Sequence, residues 1–119
     1  IDELPVLFIA CATCEGSSLI EDIDELRYKE SDRIEAMENG LKKLGVTIVS
    51  TENSIKIIGS TFGGGIIDSY GDHRIAMSFL IAGLVSEKPI TVLNTSNINT
   101  SFPNFEDILR NQKIDIYKI

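Results

Sequence analysis

Basic residues are scarce in this chain: 11 Lys and Arg stand against 18 Asp and Glu in 119 residues, giving a formal net charge of −7 and a sequence pI near 4.6. A nucleic-acid backbone or an anionic membrane calls for a broad cationic face, so neither is an expected partner. Long apolar runs are missing too. The longest nearly polar-free stretches, Leu4 to Ala12 and Ile75 to Val85, fall well short of the roughly 20 residues of a membrane helix. Cysteine is limited to Cys11 and Cys14, too few for the disulfide framework of a small secreted domain, and no basic segment leads into an apolar signal. The expected location is the reducing cytoplasm. No Pro-rich or Ser-rich linker and no low-complexity tract divides the sequence, so a second domain inside it is not expected.

What remains is an ordinary globular composition, 43% hydrophobic with mean hydropathy +0.09, and a length that suits one core. The sequence opens on Ile1, and its first residues already read as helix, so the chain is expected to be a fragment of something longer.

Hydrophobic periodicity places the elements. Glu3 to Cys14 is apolar or small almost throughout and is followed by Gly16, which predicts a short helix buried on all sides. Ser17 to Glu21 reads as a strand. Ser31 is the predicted N-cap of a second helix, with Asp32 in its first turn. Ile34, Met37, Leu41 and Leu44 mark one apolar face, and Gly45 closes the helix. Val46 to Ser50 and Ile55 to Ile58 are β-branched runs around Thr51-Glu52-Asn53-Ser54, a hairpin signal. A strand at Ile66 to Ser69, an apolar helix from Ile75 to Val85 opened by Asp72, a strand at Pro89 to Leu93, a helix at Pro103 to Gln112 and a strand at Ile114 to Tyr117 follow.

The two halves share a plan. Asp2 and Asp72 are 70 residues apart, as are Ser31 and Ser101, which indicates a supersecondary repeat of strand, helix, strand, helix, strand, strand. The first copy lacks its opening strand and the second its closing one. The expected fold class is therefore α/β (α+β), a repeated β-α-β-α-β-β architecture with buried helices. Residues 1–119 are expected to form an incomplete part of one domain, in units of about 1–65 and 66–119.

Four helix openings carry the polar residues: Asp2-Glu3, Lys29-Glu30-Ser31-Asp32-Arg33, Gly71-Asp72-His73-Arg74 and Thr100-Ser101-Phe102-Pro103. Equivalent helices in a repeat run in similar directions, so their N-termini, with free N–H groups and positive dipole ends, are expected to gather on one face that attracts anions. Lys29, Arg33 and Arg74 are three of the eleven cations, and the only histidine, His73, sits beside them. Lys29 and Arg33 are four apart and share a face if the helical turn reaches back to Lys29. A guanidinium fork grips phosphate or carboxylate at two points, and lysine adds a point charge. Each motif alone is also readable as a solvated helix cap. Asp2 and Glu30 are the acid and base candidates, although an acid at a helix opening is often only a cap. Cys11-Ala12-Thr13-Cys14 lies at the wrong end of its helix for an activated thiol and lacks further ligands for zinc, so it reads as structural core. Gly63-Gly64-Gly65 has neither the P-loop lysine nor the dinucleotide spacing and reads as a turn.

Taken in order, Ile1-Asp2-Glu3-Leu4-Pro5, Lys29-Glu30-Ser31-Asp32-Arg33, Gly71-Asp72-His73-Arg74-Ile75-Ala76-Met77 and Thr100-Ser101-Phe102-Pro103 resemble the C-terminal part of the EPSP synthase (3-phosphoshikimate 1-carboxyvinyltransferase) family, over the whole chain. The resemblance implies an enolpyruvyl-transferase-like domain built from β-α-β-α-β-β units whose helix N-termini face an interdomain cleft. It implies transfer of the enolpyruvyl group of phosphoenolpyruvate to the 5-hydroxyl of shikimate 3-phosphate, through a tetrahedral adduct, with no metal and no organic cofactor. It further implies a missing N-terminal domain, an inactive isolated piece, and a monomeric full enzyme.

Residue by residue, the resemblance gives Asp2 contact with shikimate 3-phosphate and a proton-accepting role. It sets Lys29 near both substrates and has Glu30 exchange protons at the phosphoenolpyruvate methylene carbon. Arg33 and Arg74 bind phosphoenolpyruvate, with His73 beside them. Thr100 stands where one branch of the family has a lysine, which points to the other branch. Two alternatives stay open: a UDP-sugar enolpyruvyl transferase of related fold, and a non-catalytic anion-binding module.

Overall fold

The computed structural model describes residues 3–95. The expected helix at Pro103 to Gln112, the strand at Ile114 to Tyr117, the Thr100–Pro103 motif and Asp2 lie outside the described residues. Three α-helices, α1 (Leu4–Thr13), α2 (Arg33–Lys43) and α3 (His73–Ala82), alternate with strands β1 (Ser17–Ile20), β2 (Thr47–Ser50), β3 (Ile55–Ile58), β4 (Gly65–Asp68) and β5 (Ile90–Leu93). A 3-10 helix over Asp24–Tyr28, unforeseen in the sequence, links β1 to α2.

Each element follows from local chemistry. Pro5 occupies the first turn of α1, where its missing N–H costs nothing. The α2 face foreseen from the period is buried at Ile34, Met37, Leu41 and Leu44. Its end is a full Schellman closure: Gly45 takes φ +90°, its N–H donates to the Lys42 carbonyl at 3.0 Å, and Val46 N–H donates to the Leu41 carbonyl at 3.0 Å. Lys42 and Lys43 complement the dipole in that last turn. The start of α2 differs from expectation. Asp32, not Ser31, is the N-cap, its side chain accepting from Glu35 N at 3.0 Å, and the Ser31 hydroxyl is committed elsewhere.

The strands form a three-stranded antiparallel sheet in the order β1-β3-β2, plus a parallel pair, β4 with β5. The hairpin predicted at Thr51–Ser54 is closed by Thr51 N–H donating to the Ser54 carbonyl at 3.0 Å, with Ile48 opposite Ile57 in register. Ile48, Ile55 and Ile57 point into the core, whereas Val49 and Leu19 are outward, as the two-residue strand period requires. Parallel β4 and β5 are bridged by α3, a βαβ unit.

Helix α1 packs on α3 and β3, and α2 lies against β2, β4 and α3. Among the described residues the cover of α1 is one-sided. Phe8, Ile9 and Ala12 are buried, but Val6 and Leu7 stay 40% and 46% exposed among the described residues, because α3 and the sheet cover only one side. Helix α3 buries Ile75, Ala76, Ser78, Phe79 and Ala82. No helix among the described residues is long and apolar enough to cross a membrane.

The crossing of α2 over α3 is set by Gly40. A Cβ there would lie 2.7 Å from Phe79 Cε2 and closer still to Cζ, and Phe79 is fully buried, so its ring has no room to retreat. Gly40→Ala gains about 0.8–1.0 kcal/mol of helix propensity against an overpacking cost of about 1–3 kcal/mol. With contacts this short the cost dominates, and net destabilisation is expected. Faster hydrogen exchange at α2 and α3 amides is the check, and unchanged protection would show that the two helices can move apart freely.

Candidate functional site

The openings of α2 and α3 meet, as the sequence anticipated for two of the four polar helix starts. At the centre is Arg33, the first residue of α2, only 1% exposed. Its Nε donates to Asp72 Oδ2 at 2.8 Å and its Nη2 to Asp72 Oδ1 at 3.2 Å, a bidentate fork on a carboxylate that is itself fully buried. Nη2 also pairs with Glu30, whose side chain is 55% exposed. The Ser31 hydroxyl donates to Asp72 Oδ2 at 2.8 Å, which explains why Asp32 takes over the cap of α2.

Asp72 does two jobs at once. It is the N-cap of α3, accepting from Arg74 N–H at 3.0 Å, and it is the counter-ion of Arg33. Burial works to raise its carboxyl, but the Arg33 and Ser31 hydrogen bonds, the Arg33 charge and the Arg74 N–H outweigh that and hold it below the ordinary aspartate value. The approach to α3 is a tight turn in which Tyr70 and Gly71 both take positive φ, 55° and 71°. Asp68 steadies the turn, accepting from Tyr70 N and Asn94 Nδ2 at 2.8 Å each.

His73 and Arg74, both half-buried, follow Asp72. Ligand atoms of Glu30, Asp72 and His73 all lie within 4.8 Å of one another. Such a triad has the composition of a metal site, yet both carboxylates are bonded to Arg33, so a metal cation would have to displace a guanidinium from its buried partner. The Arg74 guanidinium makes no hydrogen bond or ion pair among the described residues.

Lys29 is placed differently from the helical reading. It caps the 3-10 helix in an extended conformation, φ −91° and ψ −157°, so no helical turn runs from it to Arg33. Its Nζ lies 3.4 Å from Glu25 Oε1. Sequence reasoning passed over Arg27. Its Nη1 donates to Asp32 Oδ2 at 2.8 Å, its Nε to the Glu52 carbonyl at 2.8 Å and its Nη2 to the Thr51 carbonyl at 2.6 Å. It thus ties the cap of α2 to the β2–β3 hairpin. No periodicity in the short segment around it could have announced that role.

Asp2 lies outside the described residues, and the structure brings together Glu30, Arg33, Asp72 and His73, with Arg74 next in sequence and Lys29 adjacent to Glu30 and in contact with Glu25. The dominant character is a charge-balanced cluster at two helix N-termini, with the Arg33 guanidinium held between the Asp72 and Glu30 carboxylates. A separate cleft of about 420 Å³, lined by Thr13, Cys14, Glu15, Ser60 and Phe62 among others, lies beside the C-terminal end of α1.

Comparison with known proteins agrees with the motifs. The sequence model described as EPSP synthase (3-phosphoshikimate 1-carboxyvinyltransferase) matches residues 1–109. The 3-phosphoshikimate 1-carboxyvinyltransferase of Coxiella burnetii (strain CbuK_Q154) is 48% identical over 91% of the chain and 25% of its own length. That of Methylococcus capsulatus is 49% identical over 98% of the chain and 26% of its own. A solved EPSP synthase structure from Acinetobacter baumannii superposes with TM-score 0.87 at 46% identity, over 91% of this chain and 26% of that one. The chain thus spans about a quarter of the length of the relatives it matches.

Proposed function

The chain belongs to the EPSP synthase family, and from that membership we propose that a family-length polypeptide carrying it transfers the enolpyruvyl group of phosphoenolpyruvate to the 5-hydroxyl of shikimate 3-phosphate, releasing EPSP and phosphate. The observation that supports this reading is the joining of the α2 and α3 openings through Arg33 and Asp72, which brings Glu30 and His73 together there with Arg74 next in sequence.

In this reading Arg33, Arg74, Lys29 and His73 receive phosphoenolpyruvate, and Asp2 and Lys29 hold shikimate 3-phosphate. Glu30 and Asp2 move protons. The half-exposed Glu30 side chain can swing away from Arg33 as an anion arrives, whereas Asp72, fully buried, stays and keeps the guanidinium aimed. The reaction needs only proton transfer and anion binding from the protein, so the proposal includes no metal and no organic cofactor. It places a monomeric full enzyme in the cytoplasm and assigns residues 1–65 and 66–119 to successive units of one C-terminal domain. The packing of α1 on α3 and the βαβ link from β4 through α3 to β5 support that division.

The direct test is a phosphate-release assay with shikimate 3-phosphate and phosphoenolpyruvate, using the family-length polypeptide. No turnover by a folded preparation would sink the proposal. Arg74→Lys sharpens it. A point charge cannot reproduce a bidentate grip, and loss of one charge-assisted hydrogen bond, about 1.5–3 kcal/mol, should raise KM for phosphoenolpyruvate roughly tenfold or more with little change in kcat. An unaltered KM would remove Arg74 from the binding set.

A further inference from the structure

Cys11 and Cys14 take no part in the cluster at the helix openings, and the core role read from their sequence does not hold for both. Cys11, in the last turn of α1, is half-buried, and Cys14, which caps the helix, is exposed. Cys14 N–H donates to the Cys11 carbonyl at 3.2 Å, closing a four-residue turn. Side chains three apart on a helical turn have Cβ atoms about 5–6 Å apart, and a disulfide brings them to about 3.5–4.5 Å, so closure needs the end of α1 to draw in by about 1–2 Å.

The turn is held from both sides. Thr13 Oγ1 donates to the Ala10 carbonyl at 2.7 Å. Ser60 N–H reaches the Ala12 carbonyl and Gly59 N–H the Gly16 carbonyl, each at 2.9 Å. Gly59 approaches the Cys14 carbonyl so closely that no Cβ would fit. The cleft of about 420 Å³ opens at Cys14, leaving room for a small reactant. Among the described residues no cluster of three or more metal-ligating side chains includes a cysteine, so a shared zinc has no further ligands there.

We propose that Cys11 and Cys14 form a reversible thiol–disulfide couple, oxidised by a small disulfide of the oxidised-glutathione class. Cys14, as thiolate, attacks one sulfur of that disulfide, breaking its S–S bond, releasing one glutathione thiolate and leaving glutathione joined to Cys14. Cys11, as thiolate, then attacks Cys14 Sγ, forming the internal disulfide and expelling the second glutathione. The two cysteines lose two electrons and two protons, and one disulfide is reduced to two thiols. Exposure assigns the order: access governs which thiol meets the reagent first, and the closed turn keeps the second within reach. This couple does not rest on the enolpyruvyl-transfer reading.

The experiment treats the folded family-length polypeptide with oxidised glutathione, quenches with acid, and weighs the tryptic peptide ending at Arg27, the first basic residue of the chain. The expected product is a peptide lighter by two hydrogens that returns to its starting mass after dithiothreitol. Cys11→Ser should stop at the stage carrying one glutathione on Cys14. Cys14→Ser should react about tenfold more slowly or worse, because its remaining thiol is shielded. A wild-type peptide that keeps a glutathione, or one that reacts only after unfolding in guanidinium, would overturn the couple. Equal rates for the two serine variants would overturn the assigned order.

Discussion

Replacing Glu30 by Gln should lower kcat about a hundredfold or more, the scale of a lost general acid–base group, while KM for either substrate moves little. The geometry makes this substitution informative. Glu30 sits between the 3-10 helix and α2, bonded to Arg33 but more than half exposed. A glutamine amide oxygen can still accept from that guanidinium, so the local structure keeps its contact. What it cannot do is the step the proposed mechanism gives Glu30, accepting and returning a proton at the methylene carbon of phosphoenolpyruvate. Exchange of solvent deuterium into that methylene group should fall in parallel. Wild-type kcat in the glutamine variant would take Glu30 out of the mechanism.

The second large effect is on structure. Asp72→Asn is expected to destabilise the junction of α2 and α3 by about 1.5–3 kcal/mol, the scale of hydrogen bonds to a charged group, because Arg33 loses the charge of its buried partner but keeps Glu30. Arg33 is 1% exposed and Asp72 0%, so water cannot replace the lost carboxylate. Hydrogen exchange at α2 and α3 amides in the family-length polypeptide measures this opening directly.

The pH dependence has a definite sign. Asp72 is held below its ordinary value of 3.8, so its contribution is fully present above that pH and is lost as pH falls through the lower folded-state value. The gap between wild type and variant should be complete at neutral pH and close below about pH 4. Glu38 and Asp68 are also lowered, so the wild type weakens in acid for several reasons. The difference from the variant isolates Asp72. A gap that persists unchanged in acid would show that the charge of Asp72 is not what holds the helices.

Legibility was greatest where a short-range pattern controls the backbone. The α2 face, the glycine that ends it and the β2–β3 hairpin could be read because spacings of 3.6 and 2 residues and a left-handed glycine act locally. The expected face of α2 is buried at Ile34, Met37, Leu41 and Leu44. The cap of α2 could not be read so well. Ser31 and Asp32 are both good caps, and the choice fell to Asp32 because Ser31, 41 residues from Asp72 in sequence, is spent on it. Lys29 was read on a helical face, but a five-residue 3-10 helix is too short to show a period, and it turned the lysine toward Glu25.

By itself the sequence determined the family, the alternation of helices and strands, and the fact that cations and acids concentrate at helix openings. Those follow from local periodicity, from capping chemistry and from motifs in a fixed order. Only the tertiary structure decided that Arg33 is buried in a fork on Asp72, and that Cys14 is exposed instead of lying in the core. Pairing across 39 residues depends on how closely α2 can approach α3, which rests on the missing side chain of Gly40 against Phe79. No spacing along the chain encodes that distance, because it is fixed by the volume of two surfaces that meet only after folding.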